Sequence, residues 1–132
     1  MTGLKEKLSN KELTLQWNVT DKDTFNGLLS TAALTKYMLN TAWRLVSMEL
    51  SEGVTSVTAL VQVSHEEPTV AGETVTVESR VKEIDGNIVR ISFKAVDETG
   101  VIAHGYNERH VIDAVNLERI AQRRAAALKK IL

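Results

Sequence analysis

The chain has 132 residues, 43% hydrophobic and 25% charged, the balance of one soluble globular domain able to bury a core without staples. It contains no cysteine, which excludes disulfides, thiolate metal sites and cysteine nucleophiles and fits a reducing compartment. Sixteen basic and 17 acidic residues leave a formal net charge of -1, so the bulk charge steers the protein toward neither nucleic acid nor an anionic membrane.

The opening Met1-Thr-Gly-Leu-Lys-Glu-Lys7 lacks the apolar stretch of a secretory signal, and no apolar run approaches the ~18 residues of a membrane span. A cytoplasmic location is expected. Leu13, Leu15, Trp17 and Val19 alternate with polar neighbours and predict a half-buried first strand. Thr20–Asn26 reads as a polar loop ended by Gly27. Leu28–Leu50 has no Gly or Pro and predicts one long helix. Leu34, Met38, Ala42 and Leu45 form its apolar arc, with Leu28, Leu39, Val46 and Trp43 beside them. Lys36, Asn40, Arg44 and Ser47 form the solvent stripe, and Gly53 is the expected terminator.

Val54–Asp113 reads as a run of antiparallel strands closing around that helix. In the first, Thr55, Val57, Ala59, Val61, Val63 and His65 share one side, and Pro68 ends it. Val75, Val77 and Val81 point inward from the next. Asp85-Gly86 is a hairpin signal, after which Val89, Ile91, Phe93 and Ala95 point inward. Glu98-Thr-Gly100 turns the chain into a last strand, and Asn116 is the expected cap of a terminal helix. The basic cluster on that helix, Arg119, Arg123, Arg124, Lys129 and Lys130, reads as a solvated face. The class is α+β: an antiparallel sheet wrapped around one long central helix, plus a C-terminal helix.

The informative residues are polar groups on apolar faces, because a buried unsatisfied polar group costs about 1–3 kcal/mol. Thr31 and Thr35 lie one turn apart inside the helix arc. Each hydroxyl either serves chemistry or bonds a carbonyl of the preceding turn. His65 ends an apolar strand face, as a packing residue or as an acid–base group. Arg109 shares a strand face with Ala103 and Val111. It binds an anion, pairs with an acid such as Glu108, or is merely exposed. His104 and His110 show no metal-ligand spacing, and no metal site is expected. Nucleophile elbows and phosphate-binding glycine loops are absent.

Three stretches carry a resemblance: Leu29-Ser-Thr31-Ala-Ala-Leu34, Val61-Gln-Val-Ser-His65 with the following Glu66–Val77, and Gly105-Tyr-Asn-Glu-Arg109-His-Val-Ile112. Together with the strand–helix–four-strand order they resemble the hot-dog fold of acyl-CoA thioesterases, most closely the fluoroacetyl-CoA thioesterase-like group. The resemblance implies one hot-dog domain over residues 1–132, with Thr31 and His65 catalytic and Arg109 substrate-binding. Thr35, Leu39, Asn40 and Thr58 are expected beside them in the substrate-binding site. Phe25 lies in the loop where the fluoroacetyl-specific enzyme has a lid phenylalanine.

Two positions depart from the family pattern. The family's helix glutamate, two turns after the threonine, is matched by Leu39, with Asn40 next to it on the solvent stripe. A glycine of the histidine strand is matched by Thr58. The implied activity is hydrolysis of a small or medium acyl-CoA, slowed by the missing carboxylate. The alternative is a non-catalytic module that binds acyl-CoA or an acyl carrier. A dehydratase of the same fold would show a His–Asp pair, which this chain lacks. No separate cofactor is implied, coenzyme A entering only as part of the substrate. The resemblance also implies a homodimer, with a tetramer as the alternative, in which Thr31 of one subunit works with His65 of the other.

Overall fold

Leu4 and Leu8, one turn apart, are both buried and seat a short opening helix, α1 (Leu4–Leu8), that five residues of pattern do not predict. The structure is a computed structural model describing residues 3–131; Met1, Thr2 and Leu132, at the ends of the expected 1–132 domain, lie outside the described residues. The expected alternation appears in β1 (Glu12–Asn18), where Leu13, Leu15 and Trp17 are half-buried between exposed neighbours.

The expected loop that follows has structure of its own. Asp21–Asp23 makes one 3-10 turn, and β2 (Thr24–Phe25) pairs with β3 (Leu28–Leu29) as a small hairpin. Its tip is Asn26-Gly27, with φ of 56° and 81°. Such a two-residue turn needs positive φ at both positions, which Asn and Gly tolerate. Gly27 therefore turns a hairpin, and Leu28 belongs to a strand instead of the helix.

The central helix, α2 (Thr31–Ser47), is shorter at both ends than the apolar periodicity suggests. Ser30 caps it, its Oγ accepting from the Ala33 amide at 3.0 Å. The helix ends at Met48, and Gly53 sits beyond it in the turn toward the next strand. The buried arc runs from Tyr37 through Leu34, Leu45, Met38 and Ala42 to Val46, with Thr41 inside it. Trp43 falls past the edge of that arc and is 46% exposed, where the sequence pattern places it beside the core.

The strands β4 (Val54–His65), β5 (Thr74–Asp85), β6 (Ile88–Asp97) and β7 (Gly100–Asp113) complete a five-stranded antiparallel sheet in the order β1-β5-β6-β7-β4. Val75, Val77, Val81, Val89, Ile91, Phe93 and Ala95 are all buried, as their alternation predicts. They face α2, which touches all five of these strands. The helix packs tightly on Gly105, where a Cβ would lie 3.1 Å from Met38 Sδ and 3.0 Å from the Gln62 carbonyl oxygen.

The sheet departs from simple alternation in β4. Thr58 lies opposite Arg109, but Leu60 lies opposite Glu108, so Ala59 is the extra residue of a bulge. Ahead of it, Ser56 and Thr58 share the face of Val111 and Arg109. After it, Val61, Val63 and His65 share the face of Asn107, Gly105 and Ala103. The expected single set from Thr55 to His65 is thus two sets of opposite phase. β4 is a sheet edge paired only with β7, and its Leu60 and Val61 are exposed.

Asp113, not Asn116, caps the terminal helix α3 (Ala114–Ile131), its Oδ1 accepting from the Val115 and Asn116 amides. A carboxylate there also suits the positive end of the helix. No side chain of α3 is buried, and its basic residues are exposed along their whole run. Among the described residues no helix is long and apolar enough to cross a membrane.

Candidate functional site

The capped start of α2 places Thr31 at the end of the sheet, and the bulge in β4 turns His65 toward it. Thr31 Oγ1 lies 2.8 Å from His65 Nδ1. Both residues belong to the same chain, which corrects the expected sharing of Thr31 and His65 between subunits. His65 Nε2 is buried and meets no hydrogen-bond partner among the described residues. A cleft of about 240 Å³ opens beside it, lined by Leu28, Leu29, His65, Glu66, Glu67 and Pro68.

Thr35 behaves differently from Thr31. Its hydroxyl donates to the Thr31 carbonyl at 2.7 Å, the local bond open to any helix threonine. Ser30 takes the Ala33 amide through Oγ and the Leu34 amide through its carbonyl. The earlier amides, of Thr31 and Ala32, project from the positive end of the helix dipole next to the Thr31 hydroxyl. Leu39 and Asn40 are both half-buried further along α2, and neither supplies a carboxylate.

Arg109 is only 5% exposed, which rules out the exposed-sheet reading. Its Nε donates to Ser56 Oγ at 2.8 Å and its Nη2 to the Ser56 carbonyl at 3.0 Å. Nη1 donates to Thr58 Oγ1 at 2.8 Å and Asn107 Oδ1 at 3.1 Å. Every one of these acceptors is neutral, and burial pulls the guanidinium down to about 10. Pairing with Glu108 does not occur. Glu108 projects from the other face, where Tyr106 and Arg90 hold its carboxyl below the usual carboxylate range. Thr58 thus anchors Arg109. Arg109 lies six residue steps along β7 from Ala103, the residue opposite His65, a span of about 20 Å, so one chain does not bring Arg109 to the Thr31–His65 pair.

His104 lies 3.0 Å from Glu66 Oε2 on the outer face. That contact, then one from Ser64, holds the Glu66 carboxyl below its usual value. Glu66 is thereby turned outward, away from its neighbour His65. No grouping of His, Cys, Asp and Glu that could hold a metal ion occurs among the described residues.

One cluster has no counterpart among the expected site residues. Asp23 Oδ2 accepts from Tyr37 Oη at 2.6 Å and from the Thr20 amide and hydroxyl, both at 3.1 Å. The Tyr37 bond comes first among the causes that hold the Asp23 carboxyl low. Burial, then Asp23, pushes the Tyr37 phenol up. The Tyr37 ring stacks on Trp17 with centroids 5.2 Å apart, and Trp17 Nε1 donates to Thr41 Oγ1 at 3.2 Å. Two sequence signals point to it: the Thr20-x-x-Asp23 spacing of a capping box, and a tyrosine within an apolar arc.

Several known structures share this architecture. A hot-dog-like protein from Thermanaerovibrio acidaminovorans is 30% identical, with a TM-score of 0.88 over 94% of this chain and 97% of that one. A thioesterase superfamily member from Thermus thermophilus is 20% identical, with a TM-score of 0.89 over 94% and 97%. The fluoroacetyl-CoA thioesterase FlK is 21% identical, with a TM-score of 0.82 over 87% and 95%. A mutant of FlK has been crystallised with fluoroacetate and CoA. No curated protein matches the chain. The sequence model of the fluoroacetyl-CoA-specific thioesterases matches residues 10–115, four-fifths of the protein, with Thr31, His65 and Arg109 all inside the match. The chain belongs to the fluoroacetyl-CoA-specific thioesterase family.

Proposed function

We propose that the protein is an acyl-CoA thioesterase whose Thr31 hydroxyl and His65 imidazole act as nucleophile and general base. The 2.8 Å contact between Thr31 Oγ1 and His65 Nδ1 carries this reading, because it is the spacing through which a base takes a hydroxyl proton. As Oγ1 attacks the thioester carbonyl, its proton passes to Nδ1. The carbon–sulfur bond breaks, and the CoA thiolate takes the proton from the imidazolium. Water then cleaves the threonine ester with the same base. The oxyanion formed in each step is placed for the Thr31 and Ala32 amides at the helix start.

Among the described residues no carboxylate orients His65, since Leu39 stands at the position expected for the family's acid and Glu66 is engaged by His104. Slow turnover follows, because such an orienting group keeps the imidazole in its productive tautomer. Small and medium acyl groups fit a cleft of this size.

A homodimer joined along the β4 edges completes the site. Twelve residues of β4 carry an unpaired edge with exposed Leu60 and Val61 near its middle. Antiparallel pairing of two such edges about that point sets the Ser56–Thr58 end of one strand against the His65 end of the other. Arg109 of one subunit then approaches the partner's cleft, where a buried cation suits an anionic part of CoA.

Initial rates across straight-chain thioesters from acetyl-CoA to decanoyl-CoA test the reading, together with intact-mass detection of an acyl adduct. Thr31→Ala abolishes the adduct and His65→Ala lowers kcat at least about 100-fold. Equal rates in wild type and both variants overturn the assignment. Leu39 also supports a second reading, a binding module without turnover. In that case calorimetry shows saturable acyl-CoA binding while no free thiol is released.

A further inference from the structure

We propose that the Tyr37–Asp23 hydrogen bond is a positioning device that holds the Thr24–Leu29 hairpin as the acyl-side wall of the cleft. The inference rests on the thioesterase reading for its kinetic part only. Asp23 closes the hairpin at both ends. Its side chain is fixed to α2 through Tyr37 Oη at 2.6 Å, and its carbonyl accepts from the Ser30 amide at 2.9 Å. Ser30 is the α2 cap and directly precedes Thr31. The same residue that anchors the start of the hairpin therefore anchors the start of the catalytic helix.

The two strands of the hairpin are held unequally. On the β3 side Leu29 is buried in the core, its amide donates to the Thr69 carbonyl at 2.8 Å, and Leu28 makes an isolated bridge to Val70. On the β2 side the Thr24 hydroxyl donates only to the Asp21 carbonyl, and Phe25 is 74% exposed. The pairing between the two strands is two residues long. Leu28 and Leu29 line the cleft beside His65. A two-stranded element of this size has no stability of its own, so the position of its β2 side depends on an external tether.

Tyr37 suits that task because its own position is set from below. Its ring stacks flat on Trp17, and Thr41 ties Trp17 Nε1 to the Tyr37 carbonyl. The phenol is thus a fixed donor on the helix, aimed at a carboxylate in the 3-10 turn that leads into the hairpin. Tyr37 and Asp23 touch no reacting atom in this scheme; they act through Leu28, Leu29 and Ser30.

The test uses Tyr37→Phe, which keeps the stacked ring and deletes the one hydroxyl. Hydrogen–deuterium exchange of residues 24–29 should accelerate about tenfold, with β5 and β6 unchanged, since only the local opening becomes easier. For butyryl-CoA, KM should rise about tenfold while kcat stays within about threefold, the pattern of lost positioning of the acyl group. Asp23→Asn retains an acceptor for Tyr37 and should recover most of the loss seen in Asp23→Ala. Unchanged exchange at 24–29 in Tyr37→Phe, or acceleration spread equally over the sheet, overturns the proposal. So does a failure of Asp23→Asn to outperform Asp23→Ala. If wild type hydrolyses no acyl-CoA, the thioesterase reading falls, while the exchange measurements still decide whether the tether holds the hairpin.

Discussion

Ser56 meets Arg109 twice, through its hydroxyl at 2.8 Å from Nε and its carbonyl at 3.0 Å from Nη2. The fork of a guanidinium fits that pair of acceptors, and an ammonium does not. Arg109→Lys keeps the charge, but three ammonium donors cannot replace all four of the bonds. The expected cost is about 2–4 kcal/mol of stability in urea unfolding. A dimer built on the β4 edges adds a second outcome, a raised KM for acyl-CoA in Arg109→Met. Unchanged KM in a folded Arg109→Met protein removes the arginine from the substrate site.

Leu39, the residue expected at the family's acidic position, lies on a half-buried flank of α2. Leu39→Glu should raise kcat about tenfold or more by orienting His65, at some expense in stability for burying part of a carboxylate. Comparing kcat and Tm of the variant and wild type checks both effects. No gain in a folded variant shows that the acid's place lies elsewhere on the helix.

Gly105 lets the helix approach the sheet. A methyl group there would press on the Gln62 carbonyl, Met38 and the Phe93 ring, all within 3.1 Å. Met38 is flexible but the carbonyl is not. Gly105→Ala should destabilise by about 1–3 kcal/mol in chemical denaturation, and an unchanged midpoint would show that the helix can lift without cost.

The Asp23 carboxyl sits below its ordinary value of 3.8 because Tyr37, then Thr20, donates to its ionised form. The unfolded chain therefore binds a proton at this group before the folded one does. Its contribution to stability is complete above the ordinary value and is lost as pH falls through the lower folded one. Stability curves of wild type and Tyr37→Phe should converge on acidification below about pH 4 and stand apart near neutrality.

Much of the fold is legible because it rests on period. The inward valines of β5, the hairpin at Asp85-Gly86 and the core of α2 all follow from alternation or helical repeat, which burial enforces over many residues at once. The features that escape are local. α1 is too short to show a period. The β2–β3 hairpin has only two residues on each side of its Asn-Gly turn, and a turn signal without flanking strands looks like loop. At the site, Thr31 and His65 are visible as polar residues on apolar faces, but their contact spans 34 positions and depends on the sheet. Ser56 and Asn107 carry no such signal, since small polar residues in strands are ordinary. Their task appears only once Arg109 is seen buried among them.

Ala59 has a consequence for how this protein can vary. A strand with one surplus residue carries slack. Loss of Ala59 would heal the bulge: Leu60 would follow Thr58 directly and keep Glu108 as its partner, and His65 would still stand opposite Ala103 on the helix face. Loss of a second residue between Thr58 and His65 finds no surplus to absorb it. His65 would then turn outward and Glu66 would take its place opposite Thr31. Substitutions along β4 change one side chain at a time, whereas the chain length between Arg109's acceptors and the histidine sets which side chain meets Thr31 at all.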